Sequence, residues 1–214
     1  MATVLEPAQE RVVLHNVSWR TYESLLDDYA ESGARLTYDH GILEIMSPLP
    51  LHEEKKQDLN LIVEQIAIEW RLRYRNFGSA TLRRADMERG SEPDVCYYFR
   101  NFDRLPRRRQ LDLSTDPSPD LAIEIDLTNP SLDRLPLYAQ FGIPEVWRCV
   151  PPAAVTLLVL DNDGRYQESE ESTALAPLSR EVIEAFLNDE AAIEDRPTWA
   201  ERIRQWAREH GPED

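Results

Sequence analysis

The chain is poor in several residue types, and each scarcity excludes something. Only two cysteines, seven glycines and three methionines occur in 214 residues. Cys96 and Cys149 each fall in an apolar, strand-like run. They read as buried, reduced thiols, so neither a disulfide framework nor a cysteine-rich metal site is expected. No apolar run approaches the ~20 residues needed to span a bilayer. The start, MATVLEPAQERVVLH, lacks a basic segment followed by an apolar stretch, so no signal peptide is expected. A cytoplasmic protein without membrane contact is the expectation. A glycine-rich phosphate loop, a nucleophile elbow and a Cys/His zinc pattern are all missing.

What is present is acid. The formal net charge is −16. A broad acidic surface repels polyanions, which argues against nonspecific coating of nucleic acid. Lysine occurs only at Lys55 and Lys56, and arginine supplies the remaining positive charge. The apolar content of 42% is near the globular norm and argues against disorder. The length suits a single domain, residues 1–214, with neither internal repeats nor a low-complexity linker.

Periodicity predicts the elements. Residues 1–16 read as a tail or an edge strand. Ser18 caps a helix over Thr21–Ala30, which Gly33 ends. Strands Arg35–Tyr38 and Ile42–Met46 flank an Asp39-His40-Gly41 turn. The clearest helix runs from His52 to Arg75, with Leu59, Ile62, Val63, Ile66 and Trp70 as its stripe. Strands follow at Ser79–Arg84 and Asp94–Phe99. Arg100–Pro119 reads as a long surface loop, and Leu121–Leu127 as a central strand. After Thr128–Ser131, a helix reaches Phe141 and stops at Gly142. Glu145–Cys149, Ala154–Leu160 and Tyr166–Glu168 read as strands, the last two joined by the hairpin turn Asp161–Gly164. Acidic amphipathic helices at Arg180–Leu187 and Thr198–Glu209 close the chain. This alternation implies an α/β fold with a mixed central sheet flanked by helices.

Two carboxylates stand out. Asp94 follows Pro93 at the mouth of a strand, and Glu124 lies mid-strand between Ile123 and Ile125. Side chains two apart on a strand share a face, so Asp120 and Asp126 fall on the side of Glu124. Hard oxygen ligands on rigid strands suit Mg²⁺ or Mn²⁺. Such ions activate water and steady a transferring phosphoryl group. The plainer alternative is that Glu124 forms a salt bridge with Arg134 or Arg148. A charge inside an apolar strand needs one partner or the other.

The stretch EPDVCYYF, followed by PDLAIEIDLTNPSLDRLPLYAQFGIPEVWRC, resembles the Uma2 family, also called DUF820. These are restriction endonuclease-like proteins abundant in cyanobacteria. Upstream, RLTYDHGILEIMSP and His52 resemble the family's opening. The resemblance covers about residues 18–190 and leaves an acidic helix at about 195–210 beyond it. It implies a PD-(D/E)XK nuclease-like fold with Asp94 and Glu124 as metal ligands. It further implies Mg²⁺ or Mn²⁺ as cofactor and nucleic acid, DNA in the first instance, as substrate. Two departures matter. Asp126 stands where the pattern has lysine, and Arg134 stands where many relatives carry a displaced lysine. Arginine keeps the charge but cannot act as a base. The family's early glutamate is expected near Thr37, and Glu44 or Glu53 is the candidate to replace it.

The candidate catalytic set is therefore Asp94, Glu124, Arg134 and Asp126, with Glu44, His52, Glu53 and Lys56 as accessories. For His52 two readings stand, a cleft group and an ordinary surface histidine at a helix start. Lys55 and Lys56 either neutralise Glu53 and Glu54 or reach the cleft. Arg107, Arg108 and Arg109 form the sharpest basic cluster and suit nucleic-acid contact, against the plainer reading of a solvated loop. Tyr138 and Trp147 read as core aromatics, and Glu145 is expected to pair with Arg148. The sequence supports two functions: a metal-dependent endonuclease, or a non-catalytic binding or assembly module, homodimeric in its simplest form, that has lost the catalytic lysine.

Overall fold

A computed structural model describes residues 11–29, 32–47, 49–106, 110–126 and 133–211. The strands are β1 (Arg11–Leu14), β2 (Arg35–Asp39), β3 (Ile42–Met46), β4 (Arg75–Gly78), β5 (Thr81–Arg84), β6 (Arg89–Ser91), β7 (Val95–Tyr98), β8 (Gln110–Asp112), β9 (Leu121–Ile125), β10 (Glu145–Val150), β11 (Ala154–Leu160) and β12 (Tyr166–Ser169). The helices are α1 (Trp19–Asp28), α2 (Pro50–Glu69), α3 (Leu135–Gln140), α4 (Arg180–Leu187), α5 (Ala191–Glu194) and α6 (Arg196–His210).

They form two six-stranded sheets. The first has the order β1-β3-β2-β6-β5-β8, with β1 the edge strand anticipated near the N-terminus. The second has the order β12-β11-β10-β9-β7-β4. Both are mixed: β9 runs parallel to β10, and β5 parallel to β8, while the other pairs are antiparallel. The fold is α/β, with β9 well inside its sheet as expected.

Alternation sorts the second sheet into two faces. Val95, Tyr97, Leu121, Ile123, Ile125 and Trp147 pack under α2, α4 and α6. Cys96, Tyr98, Ala122 and Val146 face α3 and the first sheet. Strand periodicity puts Asp94 and Glu124 on this second face. Both cysteines are free and buried.

In α2, Pro50 occupies the first turn, where its missing N–H costs nothing. Leu59, Ile62, Val63 and Ile66 are fully buried. Each contributes about 1.5–3 kcal/mol by leaving water. The helix ends at Glu69, short of the expected Arg75, because Arg71 turns left-handed at φ 55°. The Leu72 N–H then bonds back to the Ala67 carbonyl, and Arg75 opens β4. Gly142, at φ 68°, ends α3 as expected. Gly90 on β6 is fixed by crowding, since a Cβ there would overlap the Tyr22 hydroxyl.

Arg100–Pro119 is not one long loop. It holds a short turn of helix at Phe102–Arg104 and the strand β8, which pairs with β5. The expected loop at 128–131, the end of the strand at Leu127 and the Arg107–Arg109 cluster lie outside the described residues.

Candidate active site

Glu124 sits on the β9 face turned toward α3, and its carboxylate is 5% exposed. Arg134, just before α3, donates from Nη1 to Glu124 Oε2 at 2.7 Å and from Nη2 to Glu44 Oε1 at 3.2 Å. The Tyr138 hydroxyl donates to Glu124 Oε1. Arg134 and Tyr138 are four apart, so the local helical turn brings both to one carboxylate. Ser91 Oγ lies 3.3 Å from the same hydroxyl. Tyr138 is therefore core by its ring, as expected, but its hydroxyl belongs to the polar network. The i, i+4 spacing from Arg134 was the signal that could have found it.

Asp94 is buried beside this cluster. Its Oδ2 accepts from the Ile125 N–H at 2.8 Å and lies 3.0 Å from His52 Nε2. The approach of the ring nitrogen is off-axis for a straight hydrogen bond. His52 is fully buried, so the surface-histidine reading fails. The reason is that α2 begins over the mouth of β7 and turns this side chain inward.

Glu44 also joins the site. It is fully buried on β3, and its register partner on β2 is Thr37, where the family's early glutamate was expected. Directly opposed side chains share a face, so the neighbouring strand supplies a carboxylate to the same region. Glu53 lies further out, 3.6 Å from His52 Nδ1 and 3.2 Å from Lys56 Nζ. Lys55 pairs with Asp58 at 3.2 Å, not with Glu53 or Glu54. Neither lysine makes an ion pair with Asp94 or Glu124 among the described residues.

Asp126 is drawn to Arg148, which contacts its Oδ2 at 2.6 and 2.9 Å. This corrects the expected Glu145–Arg148 pair. Parallel register sets Arg148 beside Glu124, one step from Asp126. Glu145 instead turns to the opposite face and accepts from Trp147 and the 173–174 backbone. Asp120, expected on the Glu124 face, caps the Phe99 and Arg100 N–H groups at 2.7 and 3.0 Å.

Burial and charge set the protonation. Burial pushes Glu124 up to about 7, against the pull of Arg134, and Asp94 adds to the rise. Burial also works to raise Asp94, but the His52 contact and the Ile125 N–H outweigh it and hold the group below its ordinary value. Burial would lower Arg134, yet Glu124, Tyr138, Asp94 and Glu44 more than offset this and keep it charged. Burial and charge thus move two neighbouring carboxylates in opposite directions, a pattern found at functional sites and in structural ion-pair networks alike.

Among the described residues, no three His, Cys, Asp or Glu side chains form a ready set of metal ligands. Asp94 Oδ1 nevertheless lacks a hydrogen-bond partner there, and Glu44 Oε2 has only the Arg11 guanidinium, at 3.9 Å. Hard anionic oxygens left this way fit Mg²⁺ or Mn²⁺, and Mg²⁺ commonly takes one or two carboxylates and keeps its waters.

The site thus gathers buried acidic side chains from both sheets of a mixed α/β fold. Residues 19–190 match the model of the Uma2 family, described as "Putative restriction endonuclease", and the chain belongs to that family. One solved structure similar to it is the crystal structure of a "putative nuclease belonging to DUF820" from Anabaena variabilis. That protein is 16% identical, the match covers 71% of this chain and 90% of that one, and the TM-score is 0.49. No curated protein matches the chain. Among the described residues, no helix is long and apolar enough to cross a membrane.

Proposed function

We propose that this chain is a metal-dependent endonuclease that hydrolyses phosphodiester bonds in nucleic acid, DNA in the first instance. The observation that carries the reading is that Glu124 of β9 and Glu44 of β3 both bond Arg134, with buried Asp94, at the mouth of β7, near enough to feel its charge. Asp94 and Glu124 would hold Mg²⁺ or Mn²⁺. That cation supplies Lewis acidity and a water acidic enough to attack phosphorus near neutral pH. Arg134 provides a fixed positive charge to steady a phosphate, a role that needs no proton transfer. His52 and the Ile125 N–H orient Asp94, while Tyr138 orients Glu124. Asp126 and Arg148 lie at the rim, and Arg107, Arg108 and Arg109 are the proposed outer contacts for nucleic acid.

One observation favours a second reading. Arg134 and Tyr138 engage both oxygens of Glu124. In that case the chain is a nuclease scaffold without turnover, serving as a binding or assembly module whose simplest partner is a second copy.

Calorimetric titration of Mg²⁺ and Mn²⁺ tests the first reading, beside an Asp94→Ala/Glu124→Ala double variant shown to be folded by circular dichroism. Binding to the wild type alone, together with metal-dependent nicking of supercoiled plasmid, is the expected result. No binding and no nicking would overturn it. Sedimentation as a dimer would then direct attention to the second.

A further inference from the structure

A second feature lies at the opposite end of β9. Asp120 precedes that strand, four residues from Glu124, which along an extended chain is roughly 13 Å. A groove of about 690 Å³ opens there, lined by Arg71, Arg73 and Arg100 over a floor that includes Phe99, Val159 and Leu160. This volume falls in the range of small-ligand sites, about 300–1,000 Å³.

The arginines are its informative part. On a chain of net charge −16, basic side chains are normally absorbed by acidic neighbours, as Arg148 is by Asp126 and Arg202 by Asp189. Arg71 and Arg100 are exposed, and their guanidinium groups have no ion-pair partner among the described residues. Arg73 pairs with exposed Asp103 and lies 4.4 Å from the centre of the Phe102 ring. The acid in the wall, Asp120, is 7% exposed and turned onto two backbone N–H groups. The groove thus offers two uncommitted cations beside an apolar floor.

We propose that this groove binds a nucleotide, with its phosphate on Arg71 and Arg100 and its base against Phe99 and Leu160. A planar guanidinium fork matches phosphate oxygens, and a flat aromatic base suits an apolar and aromatic floor. The same chemistry comes from a free mononucleotide or from the unpaired end of a strand. The assignment does not depend on turnover at the carboxylate site.

The test is fluorescence anisotropy without metal, so that binding is read without cleavage. The probe is a fluorescein-labelled single-stranded oligothymidylate, with adenosine monophosphate, inorganic phosphate and polyglutamate as competitors. The proteins are the wild type, Arg71→Ser/Arg100→Ser and, as a charge control away from the groove, Arg202→Ser. We expect wild-type binding that weakens with salt and an affinity loss of about tenfold or more in the double arginine variant. Its log–log salt slope should shrink by roughly 0.7 per lost phosphate contact. Arg202→Ser should bind as the wild type does. Competition by the mononucleotide identifies a free nucleotide as sufficient, and binding of the strand without such competition identifies the strand end. No wild-type binding, unchanged binding in the double arginine variant, an equal loss in Arg202→Ser, or equal competition by phosphate or polyglutamate would each overturn the proposal.

Discussion

Glu124 and Glu145 are both buried glutamates on adjacent strands, and they are held in opposite ways. Glu145 is fully buried and accepts four hydrogen bonds: from Trp147 Nε1 at 2.6 Å, Thr173 N at 2.8 Å, Thr173 Oγ1 at 2.6 Å and Ala174 N at 2.7 Å. Two of these donors are backbone groups, which cannot swing away. Glu124 rests on two side chains, Arg134 and Tyr138, and on no backbone donor among the described residues. Near it, Asp94 and Glu44 each keep an oxygen without a hydrogen bond among the described residues. The first arrangement pins the segment after β12 under the sheet. The second leaves anionic acceptor capacity only partly satisfied, which suits a cation.

Removing each carboxylate's surroundings should break the symmetry between them. Glu145→Ala strands several buried donors at about 1–3 kcal/mol each, so we expect a loss of at least about 3 kcal/mol in urea denaturation. A loss under about 1 kcal/mol would show that the pinned segment relaxes into water. Arg134→Ala should cost less, roughly 2–3 kcal/mol at pH 8, because a buried anion is left without its cation. That cost should shrink on acidification to pH 5.5, where Glu124 takes up a proton, and Arg134→Lys should restore part of it. A penalty that does not change with pH would mean that Glu124 does not depend on Arg134 for its charge.

Glu124→Gln isolates the titration itself. The native pKa of about 7 lies above the ordinary 4.5, so between those values the folded state holds a proton that the unfolded state has released. Stability of the metal-free wild type must therefore fall as pH rises through that window, by at most about 1.4 kcal/mol per pH unit for one proton. The variant should lack this component. Thermal melts across the window decide it, and parallel curves for the two proteins would refute the raised pKa.

How much of this was legible depends on the range of the signal. Elements with strong periodicity or punctuation were readable, and β11 and the amphipathic helix α4 have the expected bounds. The end of α2 was not, because Arg71 makes the turn without glycine or proline. The strands β6 and β8, three residues each, are too short to show alternation, and β4, only four residues long, fell between the expected helix, ending at Arg75, and the expected strand starting at Ser79. Within the site, Asp94 and Glu124 stood out as charges at strand positions. Their partners did not, since Arg134 and Glu44 are 90 residues apart and the approach of His52 to Asp94 is set by the docking of α2 on the sheet. Local spacing carries no trace of such pairs. Tyr138 lay between the two cases, concealed by being a good core residue as well.

The smallest expected effect separates neighbours on one strand. Asp126 shares the face of Glu124 and was a candidate for the same chemistry, yet its side chain is 15% exposed and its partner Arg148 is 37% exposed. A pair this open to water is screened and contributes about 0–1 kcal/mol. Asp126→Ala should therefore leave stability within about 1 kcal/mol of the wild type. If Asp126 belongs to the rim, the same variant should also bind Mn²⁺ within a few-fold of the wild type, whereas Glu124→Gln should not. Loss of Mn²⁺ binding in Asp126→Ala, with the protein still folded, would move Asp126 into the ligand set. The relevant contrast would then lie between Glu145 and the whole C-terminal end of β9, since Glu124 and Asp126 just beyond the strand would both be committed to the cation.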